Sequence, residues 1–355
     1  MQRFRCTACG ADRVFDPASG KLRCGGCGAL EAITGGSQVT EHDLDTALRE
    51  AAHAPQGQLS ATALSISCTG CGATVQFEPP QVAGQCPFCA AKLVAQAKAA
   101  DPSIAPGAIL PFATRQEQAN QQVRSWIESR WFAPNALRQL ALVQGLNGVY
   151  VPFWSFSCTT ESDYTGERGD AYFEAVTRRV GGQTITEQVR LVRWYGRQGH
   201  VSRQFENLLV PATTSVQRIQ LNDLDPWDLD KLTAYEPAYL AGFQAQRYQV
   251  PLEEGFASAR ELMRPGIESS VRRDIGGDEQ RIHSLQTAFR ETAFRHVLLP
   301  IWIGAYHFNG KVFQVMVNAR TGEVQGDRPY SALKIALLVV AIAAAIAVIA
   351  LLYQR

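Results

Sequence analysis

The most regular pattern along the chain is an apolar run close to its C-terminus. Residues 335–353, IALLVVAIAAAIAVIALLY, include no charged side chain. A helix of this length spans about 28 Å, close to the hydrocarbon thickness of a bilayer, and helices of soluble proteins are seldom apolar on all sides. The run predicts one transmembrane helix at 333–353, with residues 335–353 in contact with lipid.

A second pattern, the period of an amphipathic helix, begins at a capping box formed by Thr114 and Glu117. The apolar positions that follow are Ala119, Val123, Trp126, Ile127 and Trp131. Because their spacing places them on one helix face, we expect both tryptophans to lie in a core. The helix is expected to end before Pro134.

Three stretches alternate with the period of a strand: 148–158, 171–180 and 187–195. Nearer the C-terminus, Asn309–Gly310 lies between two β-rich runs and predicts a hairpin. The residues after it, NARTGEVQG at 318–326, predict a turn followed by a further strand.

Two more helices are predicted, at 40–53 with Thr40 as N-cap and at 251–275 with a break or kink at Pro265. Four aspartates at 223–230 lack the fixed frame of a calcium loop. We therefore expect caps and a solvated turn in that segment.

Nine cysteines are present, and eight of them form four C-x-x-C pairs. The pairs are Cys6/Cys9, Cys24/Cys27, Cys68/Cys71 and Cys86/Cys89. The second set repeats the first at a displacement of 62 positions. The repeat reaches beyond cysteine, since CTACGA at 6–11 returns as CTGCGA at 68–73 and Phe15 returns as Phe77. Such a copy indicates two units of one kind.

Each C-x-x-C pair can supply two thiolates from one tight turn, and two such turns complete a tetrahedral all-sulfur site. We predict two zinc ions, with iron as the rival metal. Disulfides are the alternative, but no apolar leader directs the N-terminus out of the cytosol. Four cysteines leave no open metal position, so both sites are predicted to be structural. The ninth cysteine, Cys158, is expected to be a small buried hydrophobe.

These elements together predict an α+β fold class: two N-terminal four-cysteine zinc ribbons, a mixed α+β domain with an antiparallel sheet, and one C-terminal transmembrane helix. The predicted boundaries are zinc ribbon 1 at 1–40, a helix and linker at 41–65, zinc ribbon 2 at 66–96, a linker at 97–108, the α+β domain at 109–330 and the transmembrane helix at 333–353. The linkers are rich in small and polar residues, so we expect the ribbons to sit on flexible tethers.

The charge balance gives no global attraction to nucleic acid. The formal net charge is +1, and residues 1–100 hold eight Lys/Arg against eight Asp/Glu. Phosphate binding needs clustered positive charge. The local candidate is a basic face on the first ribbon, formed by Arg3, Arg5, Arg13, Lys21 and Arg23. Nucleic-acid binding is disfavoured relative to protein contact, and ribbons without any partner are the third alternative.

Motifs of the common enzyme classes are missing from the sequence. The nearest match to a nucleotide-binding G-x-x-x-x-G-K-[ST] loop is AYHFNGKV at 305–312, which has Ala305 in place of the first glycine and the pattern of a hairpin. No G-x-S-x-G, H-E-x-x-H or G-x-G-x-x-G occurs, and the six histidines are scattered. We expect no catalytic residue and no enzymatic activity.

Several motifs carry a family resemblance over nearly the whole chain. Beside the paired ribbons they are ILPF at 109–112, RWFAP at 130–134, GVYVPFWSF at 148–156, PAYLAGF at 237–243 and LPIWIGAYHFNGKVFQVMVNARTGEVQGDRPYSALKI at 299–335. Together they resemble the bacterial TFIIB-type zinc-ribbon membrane proteins of the YdjG type. Members are often named primosomal protein N′ or superfamily II helicase, a name that the missing nucleotide-binding loop does not support. The resemblance implies partners among membrane-stress or membrane-organising proteins, of the phage-shock or flotillin type.

The sequence thus predicts a membrane-anchored zinc-ribbon adaptor or scaffold that recruits cytosolic or membrane-organising proteins and has no catalysis of its own. We expect it at the cell membrane, as a single-pass protein with a C-terminal anchor and a cytoplasmic N-terminal body. A membrane-associated nucleic-acid-binding protein is the first alternative. A helicase-like activity is the second, and the absent nucleotide-binding loop disfavours it.

Overall fold

The protein is a mixed α+β chain with antiparallel sheets and one apolar C-terminal helix. The structure is a computed structural model, and it describes residues 4–34, 39–53, 64–68, 74–77, 83–85, 92–94, 98–99, 104–132, 134, 145–180, 183–215, 218–308, 311–327 and 329–353. The strands are β1 Arg13–Asp16, β2 Lys21–Cys24, β3 Leu30–Glu31, β4 His42–Asp43, β5 Leu64–Ser67, β6 Thr74–Phe77, β7 Ala83–Gln85, β8 Lys92–Val94, β9 Lys98–Ala99, β10 Ala108–Ile109, β11 Asn147–Val180, β12 Gln183–Pro211, β13 Thr233–Ala234, β14 Gln244–Ala245, β15 Glu279–Phe308, β16 Lys311–Asn318 and β17 Val324–Gly326. The α-helices are α1 Leu44–His53, α2 Gln116–Glu128, α3 Arg218–Asn222, α4 Leu252–Ile275 and α5 Ala332–Tyr353.

Three long strands form the centre of the main sheet. β11 has 34 residues, β12 has 29 and β15 has 30. β11 lies between the other two and pairs antiparallel with both. Pairing with β15 stops at Gly169↔Glu279, whereas pairing with β12 continues to Val180↔Gln183. Residues 170–180 and 183–193 therefore extend beyond the sheet as a two-stranded arm.

The predicted strands are confirmed, but they are joined: 148–158 and 171–180 both belong to β11, and 187–195 belongs to β12. The sequence pattern breaks where buried positions are polar. Thr160 and Ser162 are buried, with Thr160 Oγ1 donating to the Arg203 carbonyl at 2.9 Å and Ser162 Oγ 2.9 Å from Thr287 Oγ1. Hydrogen bonds offset the cost of burying these hydroxyls, but the residues interrupt the alternation of apolar and polar positions.

Helix α4 packs along one face of the long strands through a stripe of buried residues. They are Leu252, Gly255, Ala259, Met263, Ile267, Val271 and Ile275. Gly255 is in close contact with the Trp154 ring, since a Cβ there would lie 2.5 Å from Trp154 Cδ1. Cys158 is buried as predicted, with its Sγ 3.6 Å from Met263 Sδ. The helix is not broken at Pro265, because the stripe is buried on both sides of the proline and packing outweighs the lost hydrogen bond.

Helix α2 packs near the base of the sheet, in the cluster that contains Tyr150 and Trp302. Ala119, Val123 and Ile127 are buried as predicted, but Trp131 is 76% exposed, which corrects the prediction of a core position. The helix ends at Glu128, so the apolar face does not continue as far as Trp131.

The predicted capping box of α2 is displaced by one residue. Arg115 is the N-cap, and its backbone N–H donates to Gln118 Oε1 at 2.9 Å. Thr114 instead donates its hydroxyl to the Ala319 carbonyl at 3.1 Å, which ties the helix start to the turn after β16.

The segment before α1 is part of the body of the protein. β4 pairs with β15 at His42↔Phe294, and Leu44 is buried in the same cluster as Trp154. Asp43 Oδ1 accepts a hydrogen bond from Thr46 N at 2.8 Å. Asp43 rather than Thr40 therefore caps this helix, which begins later than predicted.

The aspartate-rich segment at 223–230 is more buried than expected. Leu224 and Trp227 are buried between its aspartates. Asp228 forms an ion pair with Arg320, with Oδ2 2.5 Å from Nη2. This segment thus anchors the turn after β16 as well as facing solvent.

The C-terminal hairpin and strand match the prediction. β15 and β16 pair up to Phe308↔Lys311, while Asn309–Gly310 itself lies outside the described residues. β17 then pairs with β16. Residues 305–308 and 311–312 therefore lie in paired antiparallel strands, unlike the strand-to-helix arrangement of a nucleotide-binding loop.

Helix α5 differs from the other α-helices in the described part of the chain in having no buried face. It is long and apolar enough to cross a membrane, and none of its apolar span from Ala332 to Ala350 is buried. The apolar core helix of a soluble protein would be mostly buried. The absence of burial is therefore consistent with a membrane span.

Candidate metal centre

The first four predicted metal ligands converge at one point near the N-terminus. The Sγ atoms of Cys6, Cys9, Cys24 and Cys27 all lie within 4.8 Å of one another. Cys6 Sγ is 3.6 Å from Cys27 Sγ, and Cys9 Sγ is 3.4 Å from Cys24 Sγ. A tetrahedral site with zinc–sulfur bonds of about 2.3 Å has sulfur–sulfur edges of about 3.8 Å. The cluster can bind a zinc ion, and no described cysteine forms a disulfide.

Two turns of the same geometry present these sulfurs. In the first, Cys6 N donates to the Ala11 carbonyl at 2.8 Å and Gly10 N donates to the Cys6 carbonyl at 2.9 Å. In the second, Cys24 N donates to the Ala29 carbonyl at 2.9 Å, and the equivalent of Gly10 is Gly28.

Both turns require a left-handed residue directly after the second cysteine. Gly10 has φ +74° and Gly28 has φ +75°, a region that side chains other than glycine rarely adopt. Gly28 was not among the residues predicted for this site, although the motif C-x-x-C-G-A occurs at 24–29 as well as at 6–11.

The thiols differ in how readily they ionise. Hydrogen bonds from the backbone amides of Ala8 and Cys9 lower the pKa of the Cys6 thiol to about 6. The amide of Ala11 acts in the same direction on Cys9, but the nearby sulfurs of Cys24 and Cys27 outweigh it and raise the pKa of Cys9 to about 11. Four sulfurs this close repel one another as thiolates. A bound cation would remove that repulsion.

A metal held by these residues would have a closed coordination shell. All four positions of a tetrahedral ion would be taken by Cys6, Cys9, Cys24 and Cys27, which leaves none for water or substrate. Such an ion stabilises the fold of its unit and supplies no catalytic step.

The unit that carries this cluster, residues 4–31 (the four-cysteine unit), is docked on the body. Phe15 and Leu22 are buried in one cluster with Phe243 and Trp302. The Phe15 ring meets the Tyr239 ring edge-on, with centroids 5.4 Å apart. The expected flexible tether is therefore wrong for this unit.

Two polar contacts fix the same interface. Phe15 N donates to the Ala241 carbonyl at 2.9 Å. Arg115, at the start of α2, pairs with Asp16, with Nη2 3.1 Å from Oδ1. The apolar contact is thus framed by a strand-like hydrogen bond and an ion pair.

The second predicted site is described only in part. Cys68 is buried, whereas Cys71, Cys86 and Cys89 lie outside the described residues. The neighbouring strands nevertheless repeat the first unit. β2 pairs with β3 at Leu22↔Glu31, and β7 pairs with β8 at Gly84↔Leu93, each residue displaced by 62 positions. The backbone therefore supports the repeat seen in the sequence, and a second metal site stays a prediction.

The predicted basic face of the first unit is smaller than the sequence indicated. Arg13 is buried, pairs with Glu31 and donates to Thr7 Oγ1 at 3.2 Å. Arg3 lies outside the described residues. Arg5, Lys21 and Arg23 are the exposed basic side chains that are described there.

Comparison with known proteins gives one distant relative. The chain is 24% identical over 355 residues to a protein of Bacillus subtilis (strain 168) named "Uncharacterized protein YdjG", covering 94% of this chain and 92% of that protein. The similarity extends over nearly the full length of both. No family model matches the chain, and no solved structure matches it. The resemblance is confirmed in this coarse form, as a distant similarity to YdjG.

Proposed function

We propose that this protein is a membrane-anchored zinc-ribbon adaptor or scaffold with no catalysis of its own. In this proposal α5 crosses the cell membrane once and the body lies in the cytoplasm. Two ribbons, each holding one zinc ion, recruit cytosolic or membrane-organising proteins. The metal ligands are Cys6, Cys9, Cys24 and Cys27 in the first ribbon and Cys68, Cys71, Cys86 and Cys89 in the second.

The observation that carries the proposal is the combination of a closed sulfur cluster with a firmly docked unit. Four cysteines around one point leave no position for a substrate. Phe15 holds the unit against the same body from which α5 emerges. A partner that binds the ribbon would thereby be held at a fixed place relative to the membrane.

The proposal is tested by zinc analysis and affinity capture of the full-length protein, solubilised in detergent from bacterial membranes. We expect two zinc ions per chain in the native protein and one in Cys27→Ser. Proteins that co-purify with the native chain should be depleted in that variant. Cys158→Ala is the matched control, because this cysteine belongs to no C-x-x-C pair, and it should keep both zinc ions and all partners.

Three results would count against the adaptor. Absence of zinc from the native chain would show that the proposed zinc ribbons do not form. Equal recovery of partners with Cys27→Ser would show that the first ribbon recruits none of them. Binding of the full chain to DNA that falls steeply with salt would favour the nucleic-acid alternative instead.

A further inference from the structure

A short turn of the body lies directly beside the point where α5 begins. Ser331 N donates to the Phe132 carbonyl at 2.8 Å, and Lys334 Nζ donates to the Trp131 carbonyl at 2.9 Å. These two bonds join the turn after α2 to the first turn of α5. The position of Trp131 relative to α5 is therefore fixed by hydrogen bonds from both sides of the helix start.

The side chain of Trp131 projects into solvent at this junction. Ahead of α5, no other large hydrophobic side chain in the described part of the chain is as exposed as Trp131, at 76%. The turn is firmly attached, since the preceding helix α2 is anchored by the buried side chains of Val123 and Ile127. An exposed indole on a well-anchored turn indicates a contact surface.

We propose that Trp131, together with Tyr330, is an interfacial anchor that inserts into the headgroup region of the bilayer crossed by α5. This inference rests on the proposed membrane span. Tryptophan and tyrosine favour this region because the ring is apolar and its N–H or O–H stays hydrated. Tyr330 is 61% exposed just before α5, and Tyr353 lies at its far end. The 22 residues of α5 span about 33 Å, close to the thickness of a hydrocarbon core.

The charges around the indole suit a phospholipid surface. Arg130 lies on the adjacent Trp126 ring, with its guanidinium carbon 5.3 Å from the ring centroid. Lys334 carries a second positive charge, and Glu128 is the acidic neighbour. Basic side chains at this depth are attracted to lipid phosphates. The occupant of this surface is therefore the bilayer itself, and the contact would fix the tilt of the body above it.

Tryptophan quenching in nanodiscs tests the proposal on the full-length chain. Discs would be made with lipids brominated either high on the acyl chain or near its end, and the emission of native protein compared with that of Trp131→Phe. We expect the shallow bromines to quench the native protein more strongly than the deep ones, and most of this shallow quenching to be lost in Trp131→Phe. Trp194→Phe is the matched control: this residue pairs with Gly169 on the far part of the long hairpin, so its removal should leave the lipid-dependent quenching unchanged.

Two measurements distinguish failure of the interfacial anchor from failure of the membrane span. If the protein resists carbonate extraction but brominated lipid quenches the emission of Trp131→Phe as strongly as that of the native chain, α5 is inserted and the interfacial anchor is wrong. If the native protein does not enter the discs, both ideas fail. Protection of the Trp131 emission by a second copy of the chain, in place of lipid quenching, would assign the surface to self-association and overturn the proposal.

Discussion

The four-cysteine unit and the body behind it hold together by different means. Within the unit, Phe15 and Leu22 are buried in a core and Phe4 packs against it, while four cysteine sulfurs lie together at the centre of the unit. In the body, α4 and the long strands bury a continuous series of aromatic and aliphatic residues. A chain of about 30 residues cannot bury enough apolar surface to fold alone, whereas the body can. Metal should therefore control the stability of the first region and leave the second almost untouched.

The largest effect is expected from removing one ligand. Structural zinc in comparable units contributes about 10–16 kcal/mol of apparent binding free energy, so Cys24→Ser should unfold residues 4–31 and release their zinc. Hydrogen exchange should become fast in the unit and stay slow in α4. Cys158→Ala is the control, and equal loss of protection in unit and body would contradict the division.

A smaller effect is expected at the contact between the two regions. Phe15→Ala removes the side chain that fills the interface and should cost about 3–5 kcal/mol. The sulfurs are untouched, so zinc should stay bound while the Phe15 amide, which donates to Ala241, exchanges faster. Leu30→Ala, at an exposed position of the same unit, should change neither quantity. Loss of zinc from Phe15→Ala would show that docking and metal binding are one event.

The body should respond to acid through one buried histidine. Burial lowers the pKa of His296 to about 4, against the opposing hydrogen bond to the Ile104 carbonyl. The unfolded chain, with an ordinary histidine pKa of about 6.5, binds more protons in this interval. Stability is therefore full above about pH 6.5 and falls by about 3 kcal/mol as the pH decreases to about 4.

Comparison with His296→Phe isolates the contribution of His296 to the acid response. Both proteins carry the same cysteines, so any effect of thiol protonation is common to the two. Denaturant unfolding followed between pH 7 and pH 4 should show a shallower loss of stability in the variant. Parallel curves for the two proteins would exclude His296 as the source of the acid response.

The smallest effect is expected from the ion pair that frames the interface. Arg115 is about half exposed where it meets Asp16, and pairs of this kind contribute about 0.2–1 kcal/mol. Arg115→Ala should lower the unfolding free energy by less than Phe15→Ala does, and high salt should reduce the difference. A loss as large as that of Phe15→Ala would mean that charge rather than apolar contact holds the unit in place.

The sequence allowed the first cluster of four cysteines to be predicted because these residues come from two local turns with fixed spacing. Helix α4 and the hairpin formed by β15 and β16 could be predicted for a similar reason, because local patterns and turn residues in the sequence indicate the same elements. It could not predict that 148–158 and 171–180 form one strand, since hydrogen-bonded residues such as Thr160 interrupt the alternation between them. The length of a strand whose inner face is partly polar depends on partners distant in sequence.

The core position of Trp131 and the flexible tether of the four-cysteine unit were predicted wrongly, for two different physical reasons. The helical spacing at Trp131 continues after α2 has ended, so the residue leaves the buried face. Phe15, repeated as Phe77, fitted the pattern of the ribbon, but its ring is buried against Tyr239 and Phe243 of the body. Contacts between separately folding regions leave no periodic trace in the sequence.

The length of β11 fixes how far the protein can reach. Its 34 residues correspond to a contour of roughly 110 Å at about 3.3 Å per residue. The arm leaves the sheet at Gly169, whereas α5 follows β17 at the end where β15 passes Asn147, so the pair Val180↔Gln183 and α5 lie at opposite ends of the long strands. Shortening both arm strands by two residues would withdraw this pair by about 7 Å and keep every side chain on its face. Shortening both by one residue would interchange the faces beyond the deletion, so the reach can change without altering the surface chemistry only in steps of two residues per strand.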